Sequence, residues 1–201
     1  MREEERWYSN TKVDRAVKNL RKNNFKAFSV SNKEESVSKI MDLIPDNARI
    51  GIGDSITLED IGLSDILIDE GYEVADNRKA KMKGLKDEEM NKVRKKQLNS
   101  DVFISSTNAL TESGELINID STGQRVASMI FGPDQVIIVA GINKIVENVD
   151  KGIERVRNVA APKNAKRLNK NVPCAQTGKC SNCQSEDRIC KIITLIAQDK
   201  E

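Results

Sequence analysis

Ser31-Asn-Lys-Glu-Glu-Ser-Val-Ser-Lys-Ile-Met-Asp-Leu-Ile-Pro-Asp-Asn-Ala-Arg-Ile-Gly-Ile-Gly53 is the stretch that decides the fold. Val37, Ile40, Met41 and Ile44 recur at helical spacing, and Ser31 or Asn32 stands where a helix is capped. Pro45-Asp-Asn47 breaks that helix. Ala48-Arg-Ile-Gly-Ile-Gly53 then reads as a short buried strand ending in glycine. A helix feeding such a strand is the unit from which a mainly parallel, helix-covered sheet is built.

Working outward, the alternation continues on both sides. Upstream, Val13, Ala16, Val17 and Leu20 predict a helix over about residues 10–23, and Phe25-Lys-Ala-Phe-Ser-Val30 alternates as a half-buried strand. Downstream, Tyr72-Glu-Val-Ala75 and Asp101-Val-Phe-Ile-Ser-Ser106 read as strands, with a helical stretch over 78–99 between them. Gln135-Val-Ile-Ile-Val-Ala140 is the most hydrophobic run and is expected at the sheet centre. Glu115-Leu-Ile-Asn-Ile119 and Arg125-Val-Ala-Ser-Met-Ile-Phe131, around Asp120-Ser-Thr-Gly-Gln124, read as an inserted β-hairpin. Val146, Val149, Ile153 and Val156 predict a late helix, and Ile189, Ile192, Ile193 and Ile196 a final one. The expected fold is α/β, a mainly parallel sheet flanked by helices with an inserted hairpin. The expected division is an α/β domain over 1–170 and a cysteine-bearing extension over 171–201.

Composition narrows the function. The chain has 201 residues, 38% apolar and 32% charged, with a net charge of +2, too small to argue for nucleic acid. Residues 78–99 carry nine Lys or Arg against three acids but no interleaved aromatics, the pattern of a solvated helix. No run approaches the ~18 apolar residues of a membrane helix. Met1-Arg-Glu-Glu-Glu-Arg is charged where a signal peptide is apolar. The expected location is the cytoplasm, where thiols stay reduced.

Two groups of polar residues are candidate ligand positions. Gly51-Ile-Gly-Asp-Ser-Ile-Thr57 follows a strand, where small residues let backbone N–H groups approach an anion, which selects Gly53, Asp54, Ser55 and Thr57. The pattern is neither G-x-G-x-x-G nor a Walker loop, and the same side chains suit helix capping. Asn108, Glu112, Asp120, Arg125, Asn143 and Lys144 lie at strand ends and in loops, where active sites of α/β folds are assembled and where turns are also held. The ligand they suit is a small molecule, an anion at the first group.

All four cysteines fall within 17 residues, at Cys174, Cys180, Cys183 and Cys190, on a segment with Pro173 and Gly178. The spacing is C-x5-C-x2-C-x6-C. Three chemistries fit it. An iron–sulfur cluster needs four convergent thiolates and tolerates irregular spacing. Zinc would have to be held by cysteine alone, since the chain has no histidine, and zinc knuckles use two C-x2-C pairs where this segment has one. A disulfide or redox pair suits small secreted domains better than this chain. Residues 151–170, just before the cysteines, carry seven basic residues and one acid, which would offset cluster charge.

Ser106-Thr-Asn-Ala-Leu-Thr-Glu-Ser-Gly-Glu-Leu-Ile-Asn-Ile-Asp-Ser-Thr-Gly-Gln-Arg-Val-Ala, Phe131-Gly-Pro, Val139-Ala-Gly-Ile-Asn-Lys144 and Ala161-Pro-Lys-Asn-Ala-Lys-Arg-Leu168 resemble the LUD-domain (lactate utilization) family. The likeness covers nearly the whole chain and is strongest to a short branch ending in Pro-Cys…Thr-Gly-Lys-Cys…Cys…Arg-Ile-Cys. It implies a fold similar to the sugar-isomerase and CoA-transferase-like superfamily. It also implies a link to an iron–sulfur, multi-protein system that oxidises L-lactate to pyruvate, with a [4Fe-4S] cluster as cofactor and zinc as the alternative. The paired C-x2-C-x2-C-x3-C-P runs of that system's larger member are absent, and one four-cysteine site stands instead. CoA transferases of the superfamily use a catalytic glutamate, and Glu112 and Glu115 lie in a suitable loop. Expected partners are a small carboxylate or another anionic small molecule, redox proteins and a second copy of the chain in a homodimer, with no membrane and no nucleic acid. Enzyme and non-catalytic assembly module both remain open.

Overall fold

The computed structural model describes residues 2–199. Its first helix, α1 (Glu3–Lys22), begins about two turns before the periodicity predicts. Glu3, Glu4 and Glu5 supply the reason: acids in the first turn and Arg21 and Lys22 in the last complement the helix dipole. Phe25–Val30, expected as a strand, has no regular structure. It hydrogen-bonds back to α1 instead, with Phe25 N donating to Leu20 O and Arg21 Nε to Ala27 O.

The chain divides into two units. One spans Val30–Ser106 and Gly123–Ala140 and holds the parallel sheet. Here α2 (Lys33–Met41) is capped by Asn32, whose side chain accepts from Glu35 N, and leads through Pro45 to β1 (Arg49–Ile52). Two short helices, α3 (Ile56–Asp60) and α4 (Leu63–Asp69), return the chain to β2 (Glu73–Asp76). The basic stretch is two helices, α5 (Asn77–Met82) and α6 (Asp87–Leu98), parted at Gly84. Then comes β3 (Val102–Ser105). All four strands of this sheet are parallel, in the order β2-β1-β3 followed by a last strand at Gln135–Ile138.

The core forms where the expected stretch puts it. Ile40 and Ile44 meet Ile50, Ile52, Leu63 and Leu67, all nearly inaccessible to solvent. Burying aliphatic side chains of this kind contributes roughly 1.5–3 kcal/mol each before entropy is counted. The most hydrophobic run, in contrast, is an edge strand and not the centre, and among its four residues only Ile137 is buried. The centre goes to β1 and β3, where every residue but Arg49 is buried.

The other unit holds the segment ending at Ser29, Thr107–Thr122 and the chain from Gly141 onward. It contains a hairpin, but one place earlier than the sequence suggests: β4 (Ala109–Thr111) pairs antiparallel with β5 (Leu116–Asp120). The expected second arm, 125–131, is the helix α7 (Gln124–Ile130) of the parallel-sheet unit. Val126 and Met129, both buried, are three apart, which is one face of a helix but opposite faces of a strand. The edge strand of the parallel sheet is β6 (Gln135–Ile138).

After a 3-10 turn at Ile142–Lys144, β7 (Ile145–Val146) pairs parallel with β4. The late helix follows as α8 (Val149–Arg155), a π-helical turn at Val156–Ala160, and α9 (Ala161–Arg167). A short helix, α10 (Pro173–Thr177), precedes the cysteine loop. The expected last helix is a strand, β8 (Ile192–Ile196), paired antiparallel with β5. Spacing at 189, 192, 193 and 196 fits a helix, but Ile-Ile-Thr-Leu-Ile is β-branched at four of five positions and suits a pleated surface.

Candidate metal-binding site and polar loops

In the parallel-sheet unit, the loop after β1 lies beyond the carboxyl end of a central strand. Gly53 N–H continues the sheet by donating to Ile104 O, and a Cβ at Gly53 would lie 2.6 Å from Ser105 Oγ, so any side chain there must displace Ser105. Asp54 faces Arg78 Nη1 at 3.5 Å, and Arg78 also pairs with Glu59. Ser55 caps α3, its Oγ accepting from Leu58 N, and Thr57 is in the first turn of that helix. Arg125 does not open a strand; from α7 its Nη1 donates to Ser106 O at 2.9 Å. Arg78 and Gln97 in this region belong to the 78–99 stretch that reads as solvated. Gln97 is fully buried and donates to Ile52 O at 2.6 Å and Ala75 O at 3.1 Å, bridging β1 and β2 at their carboxyl ends.

In the other unit the predicted residues all have bonds inside the chain. Glu112 is paired with Arg15 Nε at 2.6 Å on α1, and its carbonyl accepts from Asn19 Nδ2. Burial alone would raise the Glu115 carboxyl, but hydrogen bonds from Thr111, Ser113 and its own backbone N–H outweigh it and hold the group below the ordinary value. Both glutamates therefore serve the β4–β5 turn. Asp120 Oδ1 accepts from Thr122 N at 3.0 Å, an Asx-type turn. Asn108 Oδ1 accepts from Ile119 N at 2.9 Å. Asn108 and Asn143 are brought together by a residue the sequence did not select: Arg155 donates from Nη1 to Asn108 O at 2.5 Å and from Nε to Asn143 O at 3.1 Å. Lys144 closes the 3-10 turn beside Asn143.

The cysteines lie in the same unit. Cys174 is on α10, which Gly178 ends in the left-handed conformation; Cys180 and Cys183 are in irregular chain; Cys190 immediately precedes Lys191 and β8. All four are free and half-buried. Cys174 and Cys183 pack on an apolar cluster of Ala165, Val172 and Ile189. Burial pushes the Cys174 thiol up, and the proximity of Cys183, Cys190 and Cys180 pushes it further. Arg188 ties the loop together, donating to Cys183 O at 2.7 Å, Cys190 O at 3.1 Å and Asn182 Oδ1 at 3.3 Å. Lys170 and Asp187, paired at 3.2 Å, fasten the loop to the end of α9, with Asn171 N–H donating to Asp187 as well. Beside it, Lys166, Asn169, Lys170, Asn171, Ala175 and Gln176 line an open cavity of about 300 Å³.

A family model for the LUD domain matches residues 13–201. The chain belongs to the LUD-domain family. The matched range includes all four cysteines and every candidate ligand residue. Among solved structures, this LUD-domain chain is similar to a DUF162 family protein from Deinococcus radiodurans, with a TM-score of 0.53 and 14% identity over 94% of this chain and 87% of that one. A likeness at that identity speaks to the fold. No curated protein matches the chain.

The donor set of this LUD-domain protein can be tested against the metal groups considered for it. Burial and the nearness of Cys183, Cys190 and Cys180 raise the Cys174 thiol, and a cationic centre among the four sulfurs would relieve that repulsion, so the chemistry of the set fits a thiolate-ligated metal. As the side chains stand, no three His, Cys, Asp or Glu among the described residues are grouped around one ion position. A tetrahedral zinc would draw its sulfurs to within ~3.8 Å of each other, given Zn–S bonds of about 2.3 Å. A four-iron cube holds its ligand sulfurs farther apart.

Proposed function

We propose that this LUD-domain protein is an iron–sulfur protein in the redox metabolism of a small carboxylate such as lactate, with Cys174, Cys180, Cys183 and Cys190 holding a [4Fe-4S] cluster. The observation that carries the reading is the cysteine loop itself: four free, half-buried thiols, three of them near enough to raise the thiol of Cys174, on a short helix and the irregular chain after it, fastened by Arg188. Such a cluster, when bound, supplies one-electron transfer. Around it the chain's own residues have defined work. Arg188 fixes the carbonyls that follow two of the thiols, Ala165, Val172 and Ile189 keep water from one side, and Lys179 and the basic 151–170 segment offset negative charge. Family membership supports the lactate link, and the loops carrying Asn108, Asn143 and Lys144 are the proposed carboxylate positions of this unit. Gly53, Asp54, Ser55, Thr57 and Arg125 are the proposed polar positions of the parallel-sheet unit.

A reducing cytoplasm suits free thiols, and redox proteins or a second copy of the chain are the proposed partners. Among the described residues no helix is long and apolar enough to cross a membrane. The second reading is a non-catalytic module in which zinc or a cluster is structural. The packing of Cys174 and Cys183 into an apolar cluster favours it, since a metal there would also fasten β8's approach. Anaerobic reconstitution with ferrous iron and sulfide, followed by visible absorption, iron and zinc analysis and a lactate oxidation assay with an artificial electron acceptor, separates the two. A brown protein with about four irons per chain is expected. A colourless chain holding one zinc would sink the cluster reading, and a loaded chain without turnover would leave the structural role.

A further inference from the structure

Arg155 differs from the other arginines whose ion pairs define this fold. Arg15 faces Glu112, Arg49 faces Asp101, and Arg78 faces Asp54 and Glu59. Arg155 makes no ion pair among the described residues; its two hydrogen bonds go to uncharged backbone carbonyls, Asn108 O and Asn143 O. A guanidinium has five N–H donors, so three remain after those two bonds. Its surroundings agree: the Arg155 pKa is lowered by burial, with no carboxylate raising it back. The group stays charged at any physiological pH. A half-buried, permanently charged fork without a counter-charge is expensive to keep, unless something outside the chain completes it.

The backbone around this residue is unusual as well. The π-helical turn Val156–Ala160 starts at the very next residue, between two α-helical segments. π-turns are rare and recur at functional sites, because the extra residue re-aims the side chains on either side of it. The two carbonyls that Arg155 grips belong to loops leading into β4 and β7, which are paired with each other in parallel. Arg155 is therefore held by a rigid two-strand frame at two of its donors, so its orientation is fixed before any ligand arrives. Fixing a planar fork in advance is what recognition of a carboxylate requires, since both oxygens accept from one guanidinium in a single plane.

We propose that Arg155 is the anchor of a small-carboxylate site in the cysteine-bearing unit, formed with the loops of Asn108 and Asn143. It takes the small-carboxylate class from the proposed function but does not depend on the metal. The alternative use of Arg155 is as a staple for two loops and nothing more. The two uses differ in what an added anion does.

The test is a titration of the full chain, labelled with 15N-arginine, with sodium lactate, sodium acetate or inorganic phosphate, and with sodium chloride as the ionic-strength control. The Arg155 Nε–Hε resonance, assigned by its disappearance in Arg155→Lys, should move saturably with the carboxylates and not with chloride. Thermal stabilisation by lactate should be lost in Arg155→Lys and kept in Arg157→Lys. Absence of a saturable shift beyond the chloride control at every arginine Nε–Hε resonance would overturn the site, and this arm needs no assignment and only the wild-type protein if the variant fails to fold. Saturation by phosphate alone would overturn the carboxylate class. Unchanged lactate binding in a folded Arg155→Lys protein would assign the anion to another place. Failure to take up iron with lactate binding intact removes the cluster reading and leaves Arg155; normal iron uptake with no titration does the reverse.

Discussion

Arg188 donates from Nη1 to the backbone carbonyl of Cys183 at 2.7 Å. The same guanidinium reaches Cys190 O through Nε, so one planar group spans the carbonyls of two of the four proposed ligands, seven positions apart in the chain. The loop around the thiols has no ladder hydrogen bonds of its own, and this fork is what stands in for them.

Arg188→Met should therefore loosen the loop before it touches any metal. Three charge-assisted hydrogen bonds are lost, to Cys183 O, Cys190 O and Asn182 Oδ1, at about 1.5–3 kcal/mol for each of the two carbonyl bonds before the loop relaxes and water takes over. Metal affinity should fall by at least roughly tenfold, read as iron retained per chain during competition with a chelator after reconstitution. Arg188→Lys should restore little, because an ammonium is a point donor and cannot span both carbonyls. Retention equal to the wild type in Arg188→Met would mean that the fork is incidental.

The cysteines should be unequal in the metal-free protein. Cys174 packs on Ala165, Val172 and Ile189, whereas Cys180 lies outside that cluster and accepts only a long bond from Asn182 N at 3.5 Å. Serine at 174 puts a hydroxyl against apolar neighbours, which costs about 1–2 kcal/mol, while serine at 180 should stay within ~0.5 kcal/mol of the parent. Urea unfolding of the two metal-free variants measures the difference. Both should abolish four-thiolate metal binding. Equal stabilities would remove Cys174 from the apolar cluster.

Acid should weaken the parallel-sheet unit through one surface pair. Hydrogen bonds from the Arg49 side chain, then from its backbone N–H, hold the Asp101 carboxyl at about 2, against an ordinary 3.8. A carboxyl whose folded pKa is depressed stabilises the fold above its unfolded value and loses that contribution as pH falls through the folded one. The stability gap between wild type and Asp101→Asn should therefore be constant above about pH 5 and close between about pH 4 and 2. Equilibrium unfolding of both proteins across that range reads it directly. A gap undiminished between about pH 5 and pH 2 would place its origin elsewhere than the Asp101 charge.

How much of this was legible depended on the range of the interaction. The buried runs Ile50–Ile52 and Val102–Ser105 announce themselves as apolar strands, and the helices between them carry capping and periodic signals that act locally. The family pattern lay in the same local order. The hairpin and the last helix were misread for a physical reason: at residues 125–131 and 189–196 the spacing suits two secondary structures, and pairing with β5 decides for the strand at the end of the chain. Gln97 and Arg155 were invisible. Their partners lie 45 and 47 residues away, and no local pattern distinguishes a lysine-rich solvated helix from one that buries a single glutamine under a sheet.

The turn at Gly114 offers the sharpest test of how the cysteine-bearing unit is assembled. Glu112, Ser113 and Gly114 dock on α1: Arg15 pairs with Glu112, and Asn23 Nδ2 donates to Ser113 O and Gly114 O, each at 3.1 Å. Gly114 has φ +94°, and a Cβ there would lie 2.8 Å from the backbone of Asn19 and Leu20. Backbone atoms in a helix cannot step aside, so the strain of a positive φ and the clash add. Gly114→Ala should cost about 2–4 kcal/mol. Gly62, also at positive φ (+67°) but with nothing within 4 Å of the added atom, isolates the conformational part, and Gly62→Ala should cost about 1 kcal/mol. Urea midpoints of the two variants compare them within one protein. If Gly114→Ala is no worse than Gly62→Ala, the turn does not rest on α1 in solution, and the frame that holds Arg15 against Glu112 must be redrawn.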